Sequence, residues 1–561
     1  MANKLPTMIP SALPDVFDLT ARGKRQAALD DAHIGDIEGA WGTIHRQDHT
    51  PRKTFGARLL TILIIAGPGL ITMVGDNDAG GIATYTQAGQ NYGVSLLWTL
   101  LLLIPVLIVN QEMVVRLGAV TGVGHARLIF ERFGKFWGAF SLGDLFLLNF
   151  LTIISEFIGF SLALQYFGVS PLVSVPLGIV GLIAITVTGS YRIWERAMWI
   201  CIGVSLLMIP LAFFTHPSAG PILRGTLLPG VRGGLTSTAL LVLIAIVGTT
   251  VAPWQLFFQQ SNVIDKRITP RWIGHERIDT IVGAFVTNIT AAGLMVAAAF
   301  AFAHTPYDGR FVNIGATATA LAHAVSPALG AMLALILLNA SIIGACAVTL
   351  STSYAFGDVF QAKHSLHRGV FDAKLFYGSF VAMIAAAGAF VLFSTPATQA
   401  LMILAVQALA GILLPSATVF LLLLCNDTAV LGPWANKPWL NAVAAVIIGV
   451  LVELSLILAT TTFFPEINVN ALTVALSGLL VTALLAMGVA ALLQRRRHGP
   501  DATRQAAARL DRDTWRTPPL AELAPPVWSA ARRIGLLVLR GYLLISAALL
   551  VVKVVELALG H

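Results

Sequence analysis

Twelve apolar runs, separated by short polar segments, follow one another along most of the chain. They lie at 58–79, 94–115, 137–165, 170–188, 194–214, 237–262, 279–303, 328–356, 374–394, 400–425, 439–463 and 470–494. A helix needs about 20 apolar residues to cross the hydrocarbon core of a bilayer, so each run can span it. A further run at 534–558 is interrupted by Arg540 and Lys553. The pattern therefore predicts an all-α polytopic membrane protein with 12 or 13 spans.

Composition agrees with this class. Hydrophobic residues make up 56% of the 561 residues and charged residues 11%, whereas about a quarter of the residues in a soluble domain are charged. The three cysteines, Cys201, Cys346 and Cys425, are far apart, which excludes a disulfide framework and a thiolate metal cluster. The net charge of +8 comes from basic residues in short loops, so it does not indicate nucleic-acid binding.

The basic residues are distributed unevenly among these loops. Loops after even-numbered runs carry most of them, whereas loops after odd-numbered runs carry little beyond Arg224, Arg232 and Arg310. By the positive-inside rule the N-terminus is cytoplasmic, in an integral protein of the plasma membrane. Residues 1–57 are then expected to form a solvated cytoplasmic tail, 495–533 a cytoplasmic linker and 534–561 a possible thirteenth span.

The first run ends in an acidic, glycine-rich segment. Asp76 and Asp78 follow the apolar residues, and Gly80 and Gly81 come directly after them. A charge near the middle of a bilayer costs at least ~2.5 to 3.5 kcal/mol, so intramembrane acids usually serve a function. Glycine lets the backbone leave the helix, and irregular backbone at this depth is tolerated only beside a cavity. We therefore expect a helix break at Gly80 and Gly81 with an acidic cation site.

The sixth run contains a second interruption. Pro253 has no N–H group and its ring clashes with the preceding turn, so it frees the carbonyls around Thr249 and Ala252. Each interrupted run opens a set of five, at 58–214 and 237–425, with runs eleven and twelve at 439–494. Two inverted halves with broken first helices predict a binding site at their interface.

Polar residues inside the spans are candidates for this site. Asp78 would supply charge, because no Lys or Arg lies in the interior of the first twelve runs to pair with it. Asp76 lies two residues away, and hence on another helix face. Gln255 and Gln407 each have two possible roles, either as a neutral metal ligand or as a polar residue packed between helices.

Two lone acids occur elsewhere in the spans. Glu156 lies in the third run and Glu453 in the eleventh. We expect Glu453 to be a protonated acid with a structural role. A membrane-embedded enzyme would need a His or Cys group among its spans, and the histidines lie chiefly in loops. We therefore expect a transporter and not an enzyme.

Several motifs resemble those of the NRAMP family of divalent-metal transporters. They are Gly67-Pro68-Gly69, Asp78-Ala79-Gly80-Gly81, Gln87-Ala88-Gly89, Gln111, Arg116-Leu117-Gly118 and Thr121-Gly122. The resemblance covers residues 58–494. It implies a LeuT-like fold of two inverted five-helix repeats, with an ion site between spans one and six.

The chain departs from the family's pattern at four positions. Gly81 stands where the family has its ligand Asn, Ala252 where it has Met, Trp254 where it has His, and Ile153 where it has an Asp. Oxygen ligands without sulfur suit hard cations, and Mg²⁺ usually keeps several waters. The chain thus resembles the NRAMP-related magnesium transporters, which implies uptake of partly hydrated Mg²⁺, and also Mn²⁺, without proton coupling.

This resemblance implies a set of metal ligands. Asp78 supplies the charge, Gln255 and Gln407 supply neutral oxygens, the carbonyls of Ala79, Thr249 and Ala252 supply dipoles, and Gly81 with Ala252 leaves room for water. The transported ion is then the only metal, and no cofactor is expected. The protein is expected to be a monomer whose partners are this ion and the lipid bilayer. The alternatives are proton-coupled Mn²⁺/Fe²⁺ transport, with Glu156 relaying protons, and a LeuT-fold amino-acid carrier.

Overall fold

The computed structural model describes residues 27–48, 50–464, 466–498 and 502–526, together with residues 536, 539, 541 and 542. Ten helices in these ranges are long and apolar enough to cross a membrane, and a bent pair makes an eleventh span. With the shorter apolar helix Pro171–Thr186, they match the twelve predicted runs. The predicted all-α membrane fold is confirmed. The possible thirteenth span lies outside the described residues, except for residues 536, 539, 541 and 542.

The first span consists of three helices. They are α1 (Phe55–Ile65), α2 (Pro68–Val74) and α3 (Ala79–Tyr92), and α1 and α2 meet at an angle of 56°. The predicted break at Gly80 and Gly81 is wrong in position, because the irregular backbone lies at 75–78 and both glycines are in the first turn of α3. The reason is that Asp78 caps α3, with its Oδ1 accepting from the Gly81 N–H at 2.6 Å.

The rest of the first half is helical. It comprises α4 (Leu97–Thr121), α5 (His125–Phe133), α6 (Lys135–Tyr166), α7 (Pro171–Thr186), α8 (Tyr191–Ser205), α9 (Met208–Phe213) and α10 (Ala219–Leu227). Helices α4, α6, α7 and the α8–α9 pair correspond to spans two to five.

The second half opens with the predicted break at Pro253. Helix α11 (Ser237–Thr250) ends three residues before it, and α12 (Pro253–Asp265) begins at the proline itself. The remaining helices are α13 (Ile273–Phe302), α14 (Ile314–Ala324), α15 (Pro327–Phe360), α16 (Lys374–Phe393), α17 (Pro396–Cys425), α18 (Thr428–Leu431), α19 (Pro438–Phe463), α20 (Val469–His498) and α21 (Ala502–Ala508). Helix α3 packs on α13, α11 on α17 and α6 on α15.

Residues 27–48 fold against the helix ends. They form a 3₁₀ turn (Asp31–His33) and a hairpin of β1 (Ile37–Gly39) and β2 (Gly42–Ile44). Arg267 Nε donates to the Ala32 carbonyl at 2.9 Å, and Arg196 Nε donates to the Ala40 carbonyl at 3.0 Å. The predicted solvated tail is therefore wrong for this stretch. Its backbone accepts hydrogen bonds from arginines that are distant in the sequence, and hydropathy along the chain does not predict such contacts.

The same segment is tied to the loop after span eight. Arg368 Nη2 donates to Asp30 Oδ1 at 2.5 Å, and the His364 N–H donates to Asp30 Oδ2 at 2.9 Å. Burial alone lowers the pKa of His364, but the nearby Asp358 outweighs it and raises the pKa to about 9. The imidazole is therefore charged at neutral pH. We call the side of the bundle formed by residues 27–48, 122–134, 266–272 and 361–373 the basic face.

The C-terminal linker packs on this side of the bundle as well. Thr517 Oγ1 donates to the Val430 carbonyl at 2.7 Å, and the Thr517 N–H donates to the Val120 carbonyl at 3.2 Å. The prediction that this side is cytoplasmic stays a prediction.

A buried ion pair joins the first span to the basic face. Lys266, directly after α12, forms a salt bridge with Glu195 of α8, and neither side chain is exposed. Lys266 Nζ also donates to the Ala66 carbonyl at 2.7 Å, and Glu195 Oε2 accepts from the Ala40 N–H at 2.5 Å. The pair thus connects spans one, five and six with the hairpin.

The N-terminus of α2 is capped by a carboxylate of another helix. Asp279 Oδ2 in α13 accepts from the N–H groups of Gly67, Gly69 and Leu70 at 3.0, 2.7 and 3.2 Å. The first N–H groups of a helix lack partners within it and carry partial positive charge, so they stabilise a buried acid. Asp279 therefore holds α2 on span seven.

Candidate metal centre

Asp78 lies buried at the break of the first span. Its side chain caps α3, and only 3% of the residue is exposed. Within the described residues no Lys, Arg or His forms a salt bridge with it. A carboxylate removed from water and left without a cationic partner is costly, so the position favours a cation.

A second carboxylate lies beside Asp78. Glu156 Oε2 in α6 accepts from the Ala79 N–H at 3.1 Å, and its Oε1 has no hydrogen-bond partner among the described residues. A Cβ placed on Gly344 of α15 would lie 2.7 Å from Glu156 Oε2 and 2.9 Å from the Asp78 Cβ. The glycine therefore lets α15 close over both acids, and Glu156 belongs to the same centre.

Three oxygens converge beside Gly81. A Cβ there would lie 2.6 Å from the Asp76 carbonyl oxygen, 2.9 Å from Thr249 Oγ1 and 3.4 Å from Asp78 Oδ1. The expected room for water at Gly81 is therefore absent, because the backbone of 76–78 and α11 already fill it. Thr249 contributes its hydroxyl here, which donates to the Asp76 carbonyl at 3.3 Å.

The carbonyl oxygens that could contact a cation differ from the predicted set at one position. Ala79 is the first residue of α3 and Ala252 caps α12 in an extended conformation. The irregular backbone of the first span precedes Ala79, so that span offers the carbonyls of 75–77 instead. On the second broken span Ala252 lies in the break as predicted, and 3% of the residue is exposed.

Gln255 is held by hydrogen bonds. Its Oε1 accepts from Gln111 Nε2 at 2.9 Å, and its own Nε2 donates to the Thr250 carbonyl at 3.2 Å. These bonds agree with the role of a polar residue packed between helices. They leave one lone pair of Gln255 Oε1 unused.

Gln407 of α17 reaches the first turn of α3. Gly80 makes this contact possible, because a Cβ there would overlap the Gln407 amide group. Its Nε2 has no partner among the residues that the structure describes. Gln407 thus packs against the first turn of α3, and its role as a metal ligand stays a prediction.

Asp76 is a further buried acid of the break. Neither carboxylate oxygen has a hydrogen-bond partner in the described part of the chain, and the residue is fully buried. Two helical turns into α3, the Tyr85 hydroxyl lies 2.7 Å from Thr250 Oγ1 and joins the two broken spans. Sequence reasoning missed Tyr85, although its spacing of seven from Asp78 places both on one face of a helix.

Of the remaining candidates, Glu453 lies apart from this centre, whereas Trp254 lies against the break of the first span, its Cη2 3.2 Å from where a Cβ on Gly75 would stand. Glu453 of α19 accepts a hydrogen bond from the Ser477 hydroxyl of α20, which agrees with a structural acid. Trp254 packs in the core against Phe258, with ring centroids 6.0 Å apart. In the described ranges no group of three or more His, Cys, Asp or Glu side chains is arranged to hold a metal. A cation here would need amide, hydroxyl or carbonyl oxygens or water as well.

Comparison with known proteins agrees with this architecture. The chain is 27% identical over 460 residues to the divalent metal cation transporter MntH of Bacillus subtilis, covering 80% of this chain and 99% of that protein. It is 28% identical over 405 residues to MntH of Ralstonia nicotianae, covering 68% and 87%.

A solved structure shares the fold. The crystal structure of the Eremococcus coleocola manganese transporter superimposes with a TM-score of 0.58 at 17% identity, covering 80% of this chain and 98% of that one. This likeness and the two broken spans confirm the predicted LeuT-like fold. The family model described as natural resistance-associated macrophage protein-like matches residues 69–461. The chain therefore belongs to the Nramp family.

Proposed function

We propose that this protein transports divalent metal cations across the plasma membrane, with Asp78 as the anionic ligand. The buried Asp78 carboxylate, which has no basic partner among the described residues and lies at the junction of two broken spans, carries the proposal. The names of the MntH relatives and of the manganese transporter support the same substrate class. Thr249, Gln407 and the carbonyls of 75–77 and Ala252 would supply neutral oxygens to the ion, and Gln255 would do so through one lone pair.

Alternating access follows from the two breaks. Spans one and six pivot at 75–78 and at Val251 and Ala252, where the regular helix of each span is interrupted. On the basic face the pair of Glu195 and Lys266 and the hairpin close the path. With a cytoplasmic N-terminus this is the inner side, and uptake requires these contacts to separate.

The donor set supports a preference for Mg²⁺, with Mn²⁺ also accepted. Ala252 stands at the break of span six, where a thioether would contact the ion, and hard oxygens favour Mg²⁺ over softer metals. We expect Ala252→Met to raise the ratio of Mn²⁺ to Mg²⁺ uptake about tenfold. Competition between the two metals in proteoliposomes measures this ratio, with Ala252→Leu as the control for side-chain volume. An unchanged ratio in Ala252→Met would remove this position from selectivity.

Transport without proton coupling is the favoured mode, driven by the ion gradient and by a membrane potential worth ~2.3 kcal/mol per charge per 100 mV. The family's His and one Asp are replaced by Trp254 and Ile153. A second mode, proton-coupled transport, is favoured by the position of Glu156 next to Asp78, because two adjacent buried carboxylates do not both ionise easily.

Vesicles containing the purified protein distinguish these two modes. Uptake of Mg²⁺ measured with an internal indicator, without internal acidification, supports uncoupled transport. Acidification that depends on added metal and disappears in Glu156→Gln would support the coupled mode and exclude the uncoupled one. Competition by amino acids would instead support a carrier of another class.

A further inference from the structure

A cavity of about 290 Å³ lies between α4, α13, the start of α19 and the C-terminal linker, outside the proposed transport path. Four cationic side chains line it, from the end of α4, the start of α13, the residue before α19 and the C-terminal linker: Arg116, Arg277, Lys437 and Arg512. Glu112 is the only carboxylate among its lining residues. The cavity therefore has a clear excess of positive charge.

Glu112 is already neutralised by two of these arginines. It accepts from Arg277 Nε and Nη2 at 2.9 and 2.6 Å, and from Arg116 Nε at 3.0 Å. Arg116 also donates to the Trp434 carbonyl and to Asn436 Oδ1 at 2.5 and 2.7 Å, and it is nearly buried. Arg116 and Glu112 thus build the floor of the cavity and do not cancel its charge.

Three donors remain at the rim. Arg512 stacks on the Trp434 ring at 4.6 Å and uses Nε and Nη2 to donate to the Pro433 carbonyl, which leaves its Nη1. Arg277 likewise keeps Nη1. Lys437 has no hydrogen bond or salt bridge from its side chain to any described residue. Three unused donors on cationic groups at one opening match a phosphate oxyanion.

The other wall of the cavity is apolar and borders the lipid-facing surface. Ile108, Val109 and Leu440 line it, and Trp439 beside it is 62% exposed. Next to Arg277 on α13, Ile278 and Ile281 are 42% and 40% exposed, as expected for residues that contact acyl chains. Tryptophan at this depth is typical of a membrane interface.

We propose that this cavity binds the phosphodiester headgroup of an anionic phospholipid. Arg277, Lys437 and Arg512 hold the phosphate, and the first acyl methylenes lie on Ile108, Val109 and Leu440. Basic pockets between transmembrane helices at the cytoplasmic side are suited to such headgroups. A free phosphate ion would match the rim equally well but would leave the apolar wall unused.

The full-length protein in neutral detergent tests this assignment by native mass spectrometry. Titration with phosphatidylglycerol is compared with phosphatidylcholine, whose headgroup carries no net charge, and with inorganic phosphate as a competitor. We expect phosphatidylglycerol to bind at least about tenfold more tightly than phosphatidylcholine. Each lost rim charge weakens binding about fivefold, so Lys437→Gln loses fivefold and Lys437→Gln with Arg512→Gln about 25-fold.

Lys374→Gln is the matched control. Lys374 is another exposed lysine at the start of a span, on α16 and away from the cavity, and its substitution leaves lipid affinity unchanged. Equal binding of the two lipids, an equal loss in Lys374→Gln, or displacement of phosphatidylglycerol by equimolar phosphate would overturn the proposal. Lys437 is exposed, so its variant folds and the measurement does not depend on stability.

Discussion

Asp78→Asn is expected to abolish metal uptake while leaving the protein folded. Two unit charges 4 Å apart interact by about 4 kcal/mol at an effective dielectric constant of 20, and by twice that for a divalent ion. Losing even ~3 kcal/mol reduces affinity more than about a hundredfold. Uptake by proteoliposomes at low metal concentration is therefore expected to fall at least a hundredfold.

Asparagine is the informative replacement because it separates charge from structure. Asp78 Oδ1 caps α3 through the Gly81 N–H, and Asn caps a helix as well as Asp does. Asp78→Ala loses the cap too, at a further cost of about 1 kcal/mol in stability. Glu453→Gln is the matched control, since this acid bonds to Ser477 outside the centre. Uptake that survives in Asp78→Asn would show that the cation binds elsewhere.

Lys266→Met is expected to cause the largest loss of stability. It leaves the Glu195 carboxylate buried without its counter-ion and the Ala66 carbonyl without its donor. Breaking one side of a buried ion pair costs about 3 to 5 kcal/mol. The melting temperature of the purified protein, followed by fluorescence-detected size exclusion, should fall clearly.

A paired substitution separates the charge from the rest of the contact. Glu195→Gln with Lys266→Met removes both charges and keeps a polar group for the Ala40 N–H, so it should recover most of the lost stability. If the double variant melts as low as Lys266→Met alone, the uncompensated charge is not the cause. Arg58→Gln, on an exposed part of α1, controls for loss of a basic residue from the first span.

The sequence predicts this protein wherever the physics is local along the chain. Hydropathy identifies the twelve spans, because crossing a bilayer requires about 20 consecutive apolar residues. Pro253 determines the second break, because its ring cannot continue α11. The acid at Asp78 is apparent because no Lys or Arg lies in the interior of the first twelve runs to pair with it.

Prediction from the sequence fails where the same residue type is compatible with two local backbone conformations. Gly80 and Gly81 are compatible with a helix break or with a first helical turn, and the cap by Asp78 selects the turn. Room at Gly81 was inferred from a missing side chain, but the Asp76 carbonyl and Thr249 occupy it. Both outcomes depend on neighbours that the linear pattern does not name.

The sequence by itself thus determined the class of protein, the positions of the twelve described spans, the sixth-span break and the presence of an acid, Asp78, within the first span. Only the tertiary structure decided that Glu156 lies beside Asp78, that Gln111 holds Gln255, and that Asp279 caps α2 from 210 residues away. It also decided that residues 27–48 fold against the helix ends. Each of these contacts depends on which surfaces of two helices meet, and packing between segments distant in the chain sets this.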